Sequence, residues 1–280
     1  MPVALDDVTL CCIDTAQPAA ALRAMRASRA QCRFARSLLL TDRPVAEPGV
    51  EVHIVAPLDA AGYSRVIFRD LAEMITTPFV LVVQWDGYVL DGSRWDPEFL
   101  TFDYIGAPWP WHADAAQVGN GGFSLRSRRL LRALAEFQPV HPEDEGICRT
   151  YRRDLERRGL VFADVGSAGR FAFERGEPEG PTFGFHGLFN MGRVLAADEL
   201  GPLLDLLSGP IHQSVAALDL LAAYARGGRW REAREVLVRL EARVGADGAA
   251  RLAGERDGGG PAQAARRHAA IHRYGAVLRQ

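Results

Sequence analysis

The sequence predicts an α/β fold: a mostly parallel sheet flanked by helices, followed by an all-helical C-terminal appendage. Three observations carry this. Apolar runs of β-branched and large residues, above all Phe79-Val80-Leu81-Val82-Val83, read as strands buried on both faces, the kind found inside a parallel sheet. Such runs alternate with segments whose apolar residues recur at helical spacing, the pattern of an α/β protein. From about Val194 only the helical spacing remains.

In chain order, residues 8–14 form the first expected strand, and Thr15 is placed to cap a helix over 18–33. Strands follow at 37–41 and 52–55. Residues 63–76 carry Val66, Ile67, Leu71, Met74 and Ile75 on one helical face, and Pro78 opens the central strand. That strand stops abruptly at Gln84-Trp85-Asp86-Gly87. Asp96-Pro97 opens a short helical turn, and 104–105 and 122–125 read as short strands. Helices are expected at 127–137 and 142–158, the second beginning with three acids that suit a helix N-terminus. Residues 161–165 and 168–174 read as strands. Farther on, 218–245 resembles a single tetratricopeptide unit, with Leu220, Leu221, Tyr224, Ala233, Leu237 and Leu240 near core positions. One repeat cannot bury its own core, so a helical hairpin packed on the α/β domain is the expected reading. Residues 254–261 read as a loop and 262–278 as a final amphipathic helix. The expected division is 1–193 for the α/β domain and 194–280 for the helical region.

Composition excludes several classes. The formal net charge is −2, so no charge argument favours nucleic acid or a membrane surface. All 33 basic residues are Arg, a bias read first as codon usage. The four cysteines show neither zinc spacing nor a pairing pattern. No secretory leader is read at 1–7, and no apolar run approaches the length of a membrane span, so a cytoplasmic location is the default expectation. There is no GxGxxG, Walker or Gly-x-Ser-x-Gly sequence, which argues against dinucleotide dehydrogenases, phosphate-loop NTPases and α/β-hydrolases.

Several residues carry possible chemistry on their own. Asp86 ends a central strand, where open α/β sheets bind ligands; an Asp-Gly turn acid is the bland alternative. Gly121 and Gly122 allow close backbone approach to a ligand, or form a hairpin turn. Trp109 and Trp111 offer flat faces for sugar C–H surfaces, or ordinary packing. Glu143 and Asp144 supply carboxylates for proton transfer, or acids that stabilise a helix dipole. Ser64 and Arg65 begin the helix before the central strand, and a helix N-terminus can receive an anion.

QWDGYVL, DYIGAPW, VGNGGFSLRS, PEDEGIC and FGFHG, in this order, resemble an uncharacterised family of bacterial and fungal domains grouped with GT-A glycosyltransferases. The resemblance covers about residues 8–190 and implies a GT-A-like, Rossmann-like fold. It implies a nucleotide-sugar donor held by Asp14, Thr15, Arg65, Gln84, Asp86, Gly121 and Gly122. The acceptor, a glycan, protein or small molecule, is placed at Trp109, Trp111 and Glu143, with Asp144 as general base of an inverting transfer. Asp86 and His186 are the implied ligands of a divalent cation, Mn2+ or Mg2+. GT-A enzymes generally carry an Asp-any-Asp motif where this chain has Gln84-Trp85-Asp86, so one charge is missing from the metal-binding pattern. A non-catalytic nucleotide-sugar or glycan binding module is the alternative, and a nucleotidyltransferase a weaker one. A homo-oligomer is also compatible with the helical region.

Overall fold

The computed structural model describes residues 2–207, 211 and 214–253. The chain divides into two compact units, Met1–His186 and Gly187–Gln280. In the first, six strands form one sheet: β1 (Val3–Ile13), β2 (Cys32–Thr41), β3 (Glu51–Ile54), β4 (Phe79–Val83), β5 (Tyr104–Gly106) and β6 (Ser124–Ser127), in the order β3-β2-β1-β4-β6-β5. β1 pairs parallel with β2 and β4, and β2 with β3, while β6 runs antiparallel to both β4 and β5. The sheet is therefore mostly parallel, with helices over both faces. The chain builds outward from β1 to β3, then returns across β1 to start β4. The strand order reverses between β1 and β4, and their carboxyl ends open a crevice there.

The side-chain period of two along each strand divides the core in two. Leu10, Cys12, Leu39, Leu81 and Val83 point to one face, where they meet Ala21, Leu22 and Met25 of helix Pro18–Gln31 and the rings of Phe99, Phe123, Phe171 and Phe183. Cys11, Ile13, Leu38, Leu40, Val80 and Val82 point to the other. There they meet Val66, Ile67, Phe68 and Leu71, together with Leu130, Leu131 and Leu134 of helix Arg128–Leu134. All four cysteines are free and buried, and burial pushes the Cys11 thiol up to about 12, so it is inert at neutral pH.

Two local expectations are corrected. Thr15 does not cap the first helix: its hydroxyl accepts from the Leu58 N–H, while Asp14 Oδ1 accepts from the Ala16 and Gln17 N–H groups. Most of the strand expected over 168–174 gives way to a helix, Val165–Phe171, because Asp164 caps it by accepting from the backbone N–H and hydroxyl of Ser167. Of the strand expected over 161–165 a single bridge, Phe162 with Tyr104, remains, and of that over 168–174 only Ala172–Phe173, which pairs in parallel with Gly184–Phe185.

The second unit contains helices Met191–Val194, Leu200–Leu206, Val215–Arg226 and Trp230–Ala253, the last kinked at Gly245. Helices Val215–Arg226 and Trp230–Ala253 pack on each other across a short turn, burying Leu218, Leu221, Tyr224, Leu237 and Leu240. The loop and helix read over 254–278 lie outside the described residues. Among the described residues, no helix is long and apolar enough to cross a membrane.

Candidate active site at the sheet's carboxyl edge

Asp14 leaves the carboxyl end of β1 and Gln84-Trp85-Asp86 leaves that of β4, so both stand at the crevice where the strand order reverses. Backbone bonds in both directions between Gln84 and Gly87 close a tight turn that presents Trp85 and Asp86. A cavity of about 210 Å3 opens here, walled by Asp14, Thr15, Asp59, Tyr63, Gln84 and Trp85 among others. Burial, reinforced by the Asp86 charge, raises the Asp14 carboxyl, while the Ala16 and Gln17 N–H groups pull the other way. Arg43 reaches the same corner by donating to the Thr15 carbonyl at 2.9 Å.

His186 is the hub beside this edge. The parallel pairing of Phe173 with Phe185 sets Glu174 and His186 side by side. His186 Nδ1 lies 3.3 Å from Glu174 Oε1 and 2.9 Å from Asn120 Nδ2. Nε2 lies 3.2 Å from Gln84 Oε1 and 3.5 Å from Asp86 Oδ1. Burial disfavours the imidazolium, but Asp86 and Glu174 outweigh it and hold the His186 pKa up to about 10. Glu174 is correspondingly held below its usual value despite its burial.

The loop from Gly119 to Gly122 joins this hub to a second carboxylate cluster. Asn120 sits at φ 63°, a conformation Asn tolerates, and its side-chain oxygen accepts from the Phe123 N–H. A Cβ on Gly122 would collide with the His186 ring, and one on Gly121 with the Glu143 carboxylate, so glycine is needed at both. On the far side, Asp144 Oδ2 accepts from the Gly121 N–H at 2.9 Å. Burial, with the Glu143 charge beside it, pushes the Asp144 carboxyl up to about 6. Glu143 itself is buried against Arg126, Oε1 to Nη2 at 2.8 Å, and Arg126 is wholly enclosed.

Asp14, Thr15, Gln84, Asp86, Gly121, Gly122, Asp144 and His186 thus lie along one connected set of contacts. Arg65 does not join them; it is exposed on its helix and does not line the cavity. Trp109 is buried with its ring filling the space above Gly119, whereas Trp111 stacks on it and is 48% exposed. Glu143 is committed to Arg126 and offers its charge inward rather than to a bound molecule. Tyr63 and Glu174 were not legible as site residues. Tyr63 accepts from Gln84 Nε2. Glu174 is placed only by a strand pairing two residues long.

Asp86 and His186, the implied metal ligands, lie 3.5 Å apart, with Gln84 Oε1 beside the same ring nitrogen and Glu174 and Asn120 at the other. Among the described residues no three His, Cys, Asp or Glu side chains gather in a way that would hold a metal ion.

Fold and site together define an open α/β protein with an acid-lined crevice at its switch point. Residues 58–186, which include Asp86, Asp144 and His186, match a family described as a protein of unknown function, DUF5672. No curated protein matches the chain. Among solved structures, the chain is similar to a glycosyltransferase involved in the glycosylation of the major capsid of PBCV-1, at 15% identity over 64% of this chain and 91% of that one, with a TM-score of 0.41. It is also similar to the galactosyltransferase LgtC in complex with donor and acceptor sugar analogs, at 12% identity over 71% and 96%, TM-score 0.40. A third is the mannosyltransferase PcManGT of Pyrobaculum calidifontis in complex with GDP-Man and Mn2+, at 12% identity over 97% and 80%, TM-score 0.43.

Proposed function

We propose that the chain is a glycosyltransferase that moves a sugar from a nucleotide-sugar donor to a hydroxyl acceptor by a single inverting displacement. The observation that carries this reading is the convergence, through the loop at Asn120–Gly122, of a crevice carboxylate and a second carboxylate tuned for proton transfer. The crevice walls, with Asp14, Thr15 and Tyr63, suit the hydroxyls and flat base of a nucleoside. Asp86 and Gln84 face the sugar-diphosphate end, and the half-buried His186 imidazolium supplies positive charge at that edge.

Asp144 is the proposed base. Ionised above about pH 6, it takes the proton of the attacking hydroxyl as the new glycosidic bond forms and the bond to the diphosphate breaks. The Gly121 N–H aims its carboxylate. The binding-module alternative differs in one observable, turnover. The test is a screen of nucleotide sugars by thermal stabilisation, followed by donor hydrolysis and transfer assays with and without manganese. A true donor at about a hundred times its dissociation constant stabilises the fold by roughly 2.7 kcal/mol. Absence of any stabilising nucleotide sugar overturns the reading; stabilisation without turnover selects the binding module.

A further inference from the structure

A second cavity, of about 470 Å3, lies on the other side of Glu174. Its size falls in the range of small-molecule sites, about 300–1,000 Å3. Pro108, Pro110, Val165 and Phe173 give it apolar walls, and Glu174, Glu177 and Glu179 give it carboxylate oxygens. Apolar walls interspersed with hydrogen-bond acceptors match a pyranose, which presents C–H faces and hydroxyl donors. Glu174 belongs both to this cavity and to the His186 hub, and His186 in turn meets Asp86, so two side chains separate the cavity from the crevice acid.

We infer that this cavity is a glycan subsite, which holds the part of a neutral or amino-sugar acceptor beyond the reacting sugar. The inference rests on the transferase reading above. The reacting hydroxyl belongs at Asp144, which does not line this cavity, so what the cavity holds is a further sugar and the acceptor is an oligosaccharide. Charge sets the selection. Glu177 and Glu179 set the sign of the rim, since Glu174 is offset by His186 and the one lining guanidinium, that of Arg170, is paired with Glu98. An anionic sugar is repelled, and this discrimination weakens as salt screens the rim charges.

The experiment uses the full chain and saturation-transfer NMR with methyl glycosides and disaccharides of neutral, amino and uronic sugars. Gly169 and Gly180 line the cavity, and a Cβ at either meets nothing within 4 Å, so Gly169→Phe fills the cavity without a backbone clash. Neutral and amino sugars are expected to show transfer, uronic sugars at least tenfold weaker binding, and Gly169→Phe loss of sugar binding with nucleotide affinity unchanged. Gly180→Phe serves if Gly169→Phe does not fold. Sugar binding that survives a folded plug variant, or equal binding of uronic and neutral sugars, overturns the inference. Sugar binding lost to the plug in a chain that binds no nucleotide sugar upholds the glycan subsite and removes the transferase reading instead.

Discussion

At the scale of single residues, Asp144 shows how function and stability oppose each other. Its carboxyl is raised from 3.8 to about 6, so the fold favours the protonated acid. For an acid raised in this way, stability is fully present below about pH 4 and is lost as pH rises through about 6. The ionised form that serves as base therefore costs the fold up to about 3 kcal/mol. Asp144→Asn should raise thermal stability above pH 6, with the gain shrinking as pH falls toward 4; melting curves across that window check it. The wild-type kcat/KM should rise with pH through about 6, as the base ionises. Arg126 and Glu143 make the reverse case. Arg126→Leu strands a buried carboxylate and should destabilise by about 3–5 kcal/mol, whereas Arg126→Leu with Glu143→Gln should recover a large part of that in denaturant unfolding. These residues were legible unevenly. Asp86 stands out in the sequence because it follows a strand end, and Asp144 because the resemblance singles it out among the acids at a helix start. Glu174 could not, because only the pairing of Phe173 with Phe185 brings it to His186. Nor did the residues reveal that Glu143 turns inward to Arg126, a partner seventeen positions away.

At the scale of elements, long periodic runs were readable and short capped ones were not. β4 and the inner halves of β1 and β2 announce themselves because strands buried on both faces require apolar runs, whereas Asp6, Asp7, Arg33 and Arg36 hid the half-exposed outer halves of β1 and β2. Helix Val165–Phe171 hides behind the β-branched Val161 and Val165 at its N-terminal flank, yet these are 47% and 44% exposed. What decides the conformation there is the Asp164 cap. Asp164→Ala should cost about 0.5–2 kcal/mol in unfolding free energy, and Asp164→Asn much less. The loop at Asn120–Gly122 is the element that ties the carboxylates together, and it has no room to spare. Gly122→Ala drives a methyl into the His186 ring and should destabilise by about 1–3 kcal/mol. The NMR signal of His186 should shift in the same variant, because its ring must move off Asp86 or Asn120.

At the scale of the whole molecule, the winding order does what no single motif can. It brings Asp14 from the end of β1 beside the Asp86 turn after β4, because the chain reverses its direction of sheet building between those two strands. The later segments then return to the same edge: the glycine loop before β6, the acids that open the helix at Glu143, and His186 beside the short strand Ala172–Phe173. This division of labour predicts that donor holding and proton transfer separate by mutation. Asp144→Asn preserves shape and the hydrogen bond from Gly121 but cannot accept a proton, so turnover should fall about a hundredfold to ten-thousandfold while donor affinity stays within a few-fold. Asp86→Asn removes a charge from the crevice and loosens the His186 hub, so it should weaken donor binding first and turnover in consequence. Calorimetric donor affinity and single-turnover rate, measured for each variant with and without manganese, decide the matter. Full turnover in Asp144→Asn, or a loss of donor affinity there as deep as in Asp86→Asn, would show that one cluster performs both tasks and that the two carboxylates have been assigned the wrong roles.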